Sequence, residues 1–382
     1  LYRGGVRGGH FCPASLCRAW VTVGVAARTV AGLIEMANHW DGDVVVVGPT
    51  KPWSSAAVPR VVPIAPGSMP FSVVASVNPF DALRELAPDA VTGLHGPEAG
   101  PLLDCGIPAV LTSEVNASVR LGQLRASVAL GPSWVRILAG QARVEARMRA
   151  SAGRAVGLQC NGPAAMESYG PHNRSSMMFH DHRIRTADLA AATSRDLWDG
   201  SRPLRLAFSG RLTAIKGIGD VLEFAREAER RHLPVEISIF GDGELRGAVQ
   251  AQAPSNTSVR GFLPFDPEWL QHFREAVDVA ILPHPQGDPS MTYFEALGCG
   301  VPVLGYANAT WGMMARLTGG GWALRRRGGV ALAEQVEVLV KDPGQVQSAA
   351  LAGLEFMRSR TFEQTFRLRM QHLRESVMGH LG

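Results

Sequence analysis

Ser209-Gly210-Arg211-Leu212-Thr213-Ala214-Ile215-Lys216-Gly217 follows directly on the apolar run Leu204–Phe208, which reads as a strand. Arg211 and Lys216 therefore stand at a strand's carboxyl end, where α/β sheets bind their ligands. Two fixed cations there can neutralise a diphosphate, including the charge that grows on it as a leaving group. The plain alternative is a solvated loop with two ordinary surface cations.

Phe240-Gly241-Asp242-Gly243-Glu244 has the same order of strand, then glycine turn. Gly241 and Gly243 allow a tight turn and a close backbone approach to a ligand. The segment is not a dinucleotide fingerprint, because Arg246 stands where the third glycine belongs and Gly247 comes one residue late. The most informative stretch is Leu282-Pro283-His284-Pro285-Gln286-Gly287-Asp288-Pro289-Ser290-Met291-Thr292-Tyr293-Phe294-Glu295-Ala296-Leu297-Gly298-Cys299-Gly300-Val301-Pro302. Asp288 and Pro289 suit the cap and first position of a helix. The free amides of Ser290, Met291 and Thr292 would then face the cleft with the positive end of the helix dipole, as a diphosphate requires. Glu295, about one and a half turns further on, can accept hydrogen bonds from ribose hydroxyls. A purely structural helix with Glu295 as a surface charge is the competing account, and the apolar neighbours of Glu295 argue against it.

The elements that must position these groups alternate along the chain. Residues 19–40 read as helical, 43–48 as a buried parallel strand, and 90–94 and 109–112 as further strands entered through Pro88 and Pro108. A helix spans Trp134 to Ala150, and residues 151–200 read as irregular and polar. The pattern restarts with strands at 204–208, 235–240, 279–282 and 301–304 and helices at 218–232 and 290–298. Strand–helix alternation implies parallel sheets with right-handed crossovers. The expected architecture is α/β, with two Rossmann-like domains facing each other across a cleft. An N-terminal domain covers 1–197, a C-terminal domain covers 203–360, and a last helix at 361–382 is free to pack back on the first domain.

Length supports that division, since 382 residues exceed one ordinary core. Hydrophobic residues at 46% and charged residues at 19% describe a globular chain, not a disordered or coiled-coil one. The net charge of +4 suits anionic small molecules and is too small to imply nucleic acid. No apolar run approaches the ~20 residues that cross a bilayer. The N-terminus has neither initiator Met nor secretory h-region and reads as clipped. Five scattered cysteines fit reduced thiols in a cytoplasmic setting. Cys12 and Cys17 lack the second Cys/His pair of a zinc site, so no metal and no cofactor are expected.

The order Gly-Arg-(four residues)-Lys-Gly, then Phe-Gly-Asp-Gly, then Val259-Arg260-Gly261-Phe262, then Pro-Ser-(four residues)-Glu-Ala-(two residues)-Cys-Gly-Val-Pro resembles the C-terminal half of the retaining glycosyltransferases of family 4, which have the GT-B fold. The resemblance covers about 207–305, with looser similarity to about 380. It implies that Arg211 and Lys216 bind the donor diphosphate, that Glu295 binds the ribose, and that the backbone near Phe262 reads the base. In the N-terminal half, Pro88-Asp89-Ala90-Val91-Thr92-Gly93-Leu94-His95 looks like the family strand that ends in an active-site histidine, which makes His95 a candidate beside the transferred sugar. A lone histidine after a strand is also a common structural feature. Arg7-Gly8-Gly9-His10 is similar to the family's first glycine loop, facing donor and acceptor. Two departures stand out. Gly287 occupies the position of a sugar-touching acidic residue, with Asp288 one place later, and Glu114 stands where the family often has a histidine.

The resemblance implies transfer of a sugar from a nucleotide diphosphate to a hydroxyl, with retention and without a metal, in polysaccharide or glycoconjugate assembly. A sugar-nucleotide epimerase of similar fold and a non-catalytic nucleotide-sugar binder are the rival readings. On the helix 134–150, Arg136, Arg143 and Arg147 share a face, with Trp134, Ile137 and Leu138 nearby. That face is either simply solvated or a peripheral contact with an anionic membrane.

Overall fold

The computed structural model describes residues 2–3, 23–49, 61–65, 67–127, 131 and 134–381. Gly8, Gly9, His10, Cys12 and Cys17 lie outside the described residues.

The N-terminal half contains β1 (Tyr2–Arg3), β2 (Val23–Ala26), β3 (Asp43–Pro49), β4 (Val61–Ile64), β5 (Ser72–Ser76), β6 (Val91–Leu94), β7 (Ala109–Ser113), β8 (Gly157–Asn161) and β9 (Ser176–Phe179). β6 to β9 form a four-stranded parallel sheet in sequence order, and β3 pairs in parallel with β5. Helices α1 (Ala27–Asn38), α2 (Pro79–Leu86), α3 (Gly100–Leu103), α4 (Ala117–Ser127), α5 (Trp134–Arg154), α6 (Pro163–Tyr169) and α7 (Thr186–Ala192) connect the strands. Two expectations are corrected here. The first helix begins only at Ala27, because Val23 and Val25 alternate with smaller residues at the period of a strand. The stretch 151–200 is not irregular: α5 runs to Arg154, then β8, α6, β9 and α7 follow. Polar residues hid β8, for Gln159 and Asn161 are buried yet satisfied. Gln159 donates to the Arg369 carbonyl at 2.8 Å, and Asn161 accepts the Asp181 amide at 3.1 Å.

The C-terminal half is one six-stranded parallel sheet of β10 (Leu204–Ser209), β11 (Val235–Phe240), β12 (Thr257–Gly261), β13 (Val279–Leu282), β14 (Val303–Tyr306) and β15 (Gly321–Leu324). Its order is β12-β11-β10-β13-β14-β15, that of a Rossmann sheet. Successive residues sort to opposite faces, as the pleat demands. Leu206, Phe208, Ile239 and Ile281 join one core with Val221 and Phe224 of α8 (Ile218–Arg230). Ala207, Phe240, Ala280 and Leu282 join the other. That second core is closed by α10 (Leu270–Ala276), α11 (Met291–Gly298) and α12 (Trp311–Thr318), through Phe273, Phe294 and Met314, whereas Val249 of α9 (Arg246–Gln252) joins the first. α13 (Gly329–Lys341) packs beside α8 on the first core, and α14 (Pro343–Met357) reaches both through Val346 and Leu354. α15 (Phe362–Leu381) then returns to the N-terminal half, where Met370, Leu373 and Val377 pack with Val30, Val44 and Val110.

Candidate active site

β10 and β13 are neighbours whose onward connections leave in opposite directions, so the crevice at their carboxyl ends is the switch point of the sheet. The loop after β10 carries Arg211 and a short turn, Ala214–Lys216, and the loop after β13 spans 283–290. Glycine makes their close packing possible. Gly217 has φ 75°, and a Cβ there would overlap the Pro283 carbonyl. Gly241, at φ 132°, lies against the Gly210 carbonyl in the same way, so its close approach is to the neighbouring loop. Gly243 lies against Leu212.

The buried Lys216 ammonium spans the crevice and donates to Asp288 Oδ2 at 2.7 Å. Asp288 Oδ1 is buried without a hydrogen-bond partner, 3.7 Å from Nδ1 of His284. His284 is fully enclosed and neither ring nitrogen has a partner. Burial, reinforced by the Lys216 cation, holds its pKa well below the ordinary histidine value. Thr213 Oγ1 and Gln286 Nε2 are also buried and unpaired. Buried polar atoms are nearly always paired, so this concentration of donors and acceptors beside one ion pair marks the crevice chemically. Arg211 is exposed, and its side chain forms no hydrogen bond or ion pair among the described residues.

Asp288 is not the helix cap that the sequence suggested. α11 begins at Met291 after Ser290, whose amide donates to the Asp288 carbonyl at 2.8 Å. The carboxylate is taken up by Lys216, and only Met291 and Thr292 keep the free amides of a first turn. A side chain at position 287 is excluded locally: a Cβ on Gly287 would sit 2.8 Å from that of Ala309. The Gly287 carbonyl accepts from Thr310 Oγ1 at 2.7 Å, which fixes the loop against this segment. An acidic group can therefore enter from 288 but not from 287.

Glu295 is buried, and Arg183 Nε donates to its Oε1 at 2.8 Å. The Arg183 guanidinium lies 3.7 Å from the Phe265 ring centroid. Sequence reasoning missed Arg183, whose only signal was the polar cluster His180-Asp181-His182 just before it. Phe262 projects at 55% exposure beyond β12, next to Gly261, whose carbonyl accepts the Gly241 amide at 2.8 Å.

His95 is held elsewhere and differently. Its Nε2 donates to the Met148 carbonyl at 2.8 Å, and its Nδ1 pairs with Ser113 Oγ at 2.9 Å. A carbonyl can only accept, so the imidazole is the Nε2–H tautomer with both nitrogens occupied. Burial lowers its pKa, and Tyr169 packs edge-on at 4.7 Å. Both ring nitrogens are therefore taken up within the N-terminal half. The N-terminal half does reach the crevice through other elements: α4 packs Gly122 against Gln286, and the turn before α6 packs Gly162 against Pro289. No group of three His, Cys, Asp or Glu side chains among the described residues is placed to hold a metal ion.

Two Rossmann-like halves with an anion-suited crevice at the switch point define the GT-B class. Residues 203–342 match the family described as glycosyl transferases group 1. Similar solved structures include HepE from Anabaena (TM-score 0.59, 12% identity, 80% of this chain and 87% of that one). Sucrose-phosphate synthase from Thermosynechococcus elongatus aligns at TM-score 0.60 and 15% identity over 94% of this chain and 96% of its own. WaaG, a glycosyltransferase involved in lipopolysaccharide biosynthesis, aligns at 0.60 and 12% over 93% and 98%. No curated protein matches at the sequence level. The family match is confined to the C-terminal half, and over the whole chain the likeness to these structures gives the fold, which is GT-B.

Proposed function

We propose that this glycosyltransferase moves a sugar from a nucleotide diphosphate sugar to a hydroxyl acceptor, with retention at the anomeric carbon. The observation that carries the reading is the buried Lys216 ammonium at the switch point, beside Arg211 and the first turn of α11. Together they supply fixed positive charge where a diphosphate departs. That is the charge a divalent ion would otherwise contribute, so turnover is expected to be insensitive to chelators. The residues gathered are cations and amides, not opposed carboxylates. This supports a mechanism in which the departing diphosphate helps take the acceptor's proton on the face it leaves. Glu295 accepts from the ribose, Phe262 adjoins the base, and Asp288 faces the sugar.

HepE has been crystallised with UDP and with UDP-glucose, which makes uridine diphosphate sugars the first donors to test. The role of WaaG in lipopolysaccharide biosynthesis supports glycan or glycoconjugate acceptors. The test is calorimetric binding of UDP, GDP, dTDP and ADP sugars, with and without EDTA, to the wild type, Lys216→Ala and Glu295→Ala. Chelator-insensitive binding of one nucleotide class, weakened by both substitutions, supports the reading; NMR of the product then gives its anomeric configuration. If no nucleotide sugar binds, the proposal fails. Tight binding without transfer to any glycan acceptor favours a non-catalytic binder, a reading that the exclusion of an acidic side chain at Gly287 keeps open.

A further inference from the structure

We infer that Arg183 is a positioning residue for the ribose of the donor nucleotide, acting through Glu295; the inference rests on the proposed role of that carboxylate. Arg183 lies in the segment after β9, outside the stretch matched by the family, where the chain crosses onto the C-terminal core beside α11. Its Nε takes one oxygen of Glu295, Oε1, at 2.8 Å. The other oxygen has no partner, and it is not among the wholly buried unpaired atoms. The Glu295 side chain is only 4% exposed, so its direction is set by what holds it. Arg183 is itself held, because its guanidinium lies flat enough on Phe265 to approach its centroid to 3.7 Å. Phe265 stacks on Trp269 at 5.4 Å, and Trp269 donates to Ser209 Oγ at 2.8 Å, in the strand that leads to Arg211. Neighbouring Ile184 packs on Gly298 of α11, where a Cβ would come within 2.6 Å of it. The chain on both sides of the guanidinium is thus fixed to the donor-side core. The consequence is chemical: one carboxylate oxygen is committed to Arg183 and the other is left to accept from a 2′- or 3′-hydroxyl.

The experiment compares binding of UDP, GDP and ADP with that of their 2′,3′-dideoxy counterparts, for the wild type, Arg183→Gln, Arg183→Lys, Glu295→Gln and the double variant Arg183→Gln/Glu295→Gln. Circular dichroism checks folding of each. The wild type is expected to prefer the ribonucleotide of its own base by about tenfold or more, the scale of a hydrogen bond to a charged group. Arg183→Gln should lose most of that preference while dideoxynucleotide binding stays nearly constant. Arg183→Lys, which lacks the planar stack, should fall between the two. The double variant should be no worse than Glu295→Gln alone, because both changes remove one coupled unit. If Glu295→Gln abolishes the preference and both Arg183 variants retain it, the inference is overturned while the ribose role of Glu295 stands. If Glu295→Gln leaves the preference intact, that role falls and the inference falls with it. Equal weakening of both nucleotide forms by Arg183→Gln in a folded protein would mark Arg183 as merely structural and also overturn it.

Discussion

Lys216 is committed to Asp288 at 2.7 Å, so a diphosphate that needs the ammonium must compete with a carboxylate already there. The pair is largely enclosed, and a charge-assisted bond of this kind is worth ~1.5–3 kcal/mol net. Asp288→Asn should therefore strengthen binding of the bare nucleotide diphosphate about threefold to tenfold, while kcat with the full donor falls if Asp288 has the proposed place at the sugar. Lys216→Ala should weaken binding about 10- to 100-fold, and adding Asp288→Asn should restore part of the loss by removing an unpaired carboxylate. Calorimetry on the four proteins checks both statements. Buried histidines set a pH dependence of a different kind. Burial, with the His182 and Arg360 charges adding to it, lowers His180 to about 3, and burial lowers His182 to about 4. The unfolded chain takes up those protons near pH 6.5 and the folded chain does not. Stability from these groups is accordingly complete above pH ~6.5 and lost as pH falls toward 4, at up to ~1.4 kcal/mol per pH unit for each histidine. His182→Gln should flatten the fall in urea midpoint between pH 7 and pH 5 relative to wild type; an unchanged slope would place the proton uptake elsewhere.

At the scale of elements, α5 raises the question of the acceptor. Its outward surface carries Val135 at 73% and Leu138 at 46% exposure, together with the exposed cations Arg136, Arg143 and Arg147. Exposed apolar side chains flanked by basic ones are what an anionic bilayer surface attracts, each basic residue adding about 1 kcal/mol near the surface. Flotation with phosphatidylglycerol vesicles is expected to carry the wild type and to lose the Leu138→Asp/Arg143→Glu variant, with neither floating on phosphatidylcholine. Equal flotation of both would leave α5 as a solvated helix. The same scale explains what the sequence made legible. β13 was readable because a buried parallel strand is a continuous apolar run, and Gly241 and Gly243 were readable as a tight turn. β8 was not, since its buried Gln159 and Asn161 are satisfied by Arg369, 210 residues away, and by Asp181 on another segment. Arg183 was invisible for the same reason: its meaning lies in Phe265 and Glu295, and no local pattern encodes either contact. Asp288 was misread because Asp-Pro is a helix-start signal whose side chain answered to a lysine on another loop.

For the whole molecule, the C-terminal helix ties the two halves together. α15 crosses back over β7, β8 and β9, and Arg369 donates to Gln159 Oε1 at 2.8 Å while Gln159 donates to its carbonyl. Gly157 makes room for the helix, since a Cβ there would come within 2.5 Å of Ser376 Oγ. The start of α15 also grips the crossing segment: the Phe362 amide donates to the Ile184 carbonyl at 2.7 Å, and Thr186 pairs with Thr361 at 3.2 Å. That segment carries Arg183, so the strap that completes the N-terminal core also steadies a donor-side residue. Further along, Asp278 anchors the next stretch of chain through Arg202 and Arg205, whose hydrogen bonds outweigh the upward push of burial and lower its pKa. Removing residues 361–382 would strip Met370, Leu373 and Val377 from the N-terminal core at ~2 kcal/mol each, a large part of the ~5–15 kcal/mol that holds a domain folded. The C-terminal sheet has its own two cores and loses none of its strands. A truncated chain should therefore unfold in two separated thermal steps, the earlier one carrying the N-terminal signal. At temperatures where its C-terminal half remains folded, it should still bind a nucleotide diphosphate through Lys216 while discriminating poorly between ribo and dideoxy forms. A single, unshifted transition would show instead that α15 is dispensable to the fold.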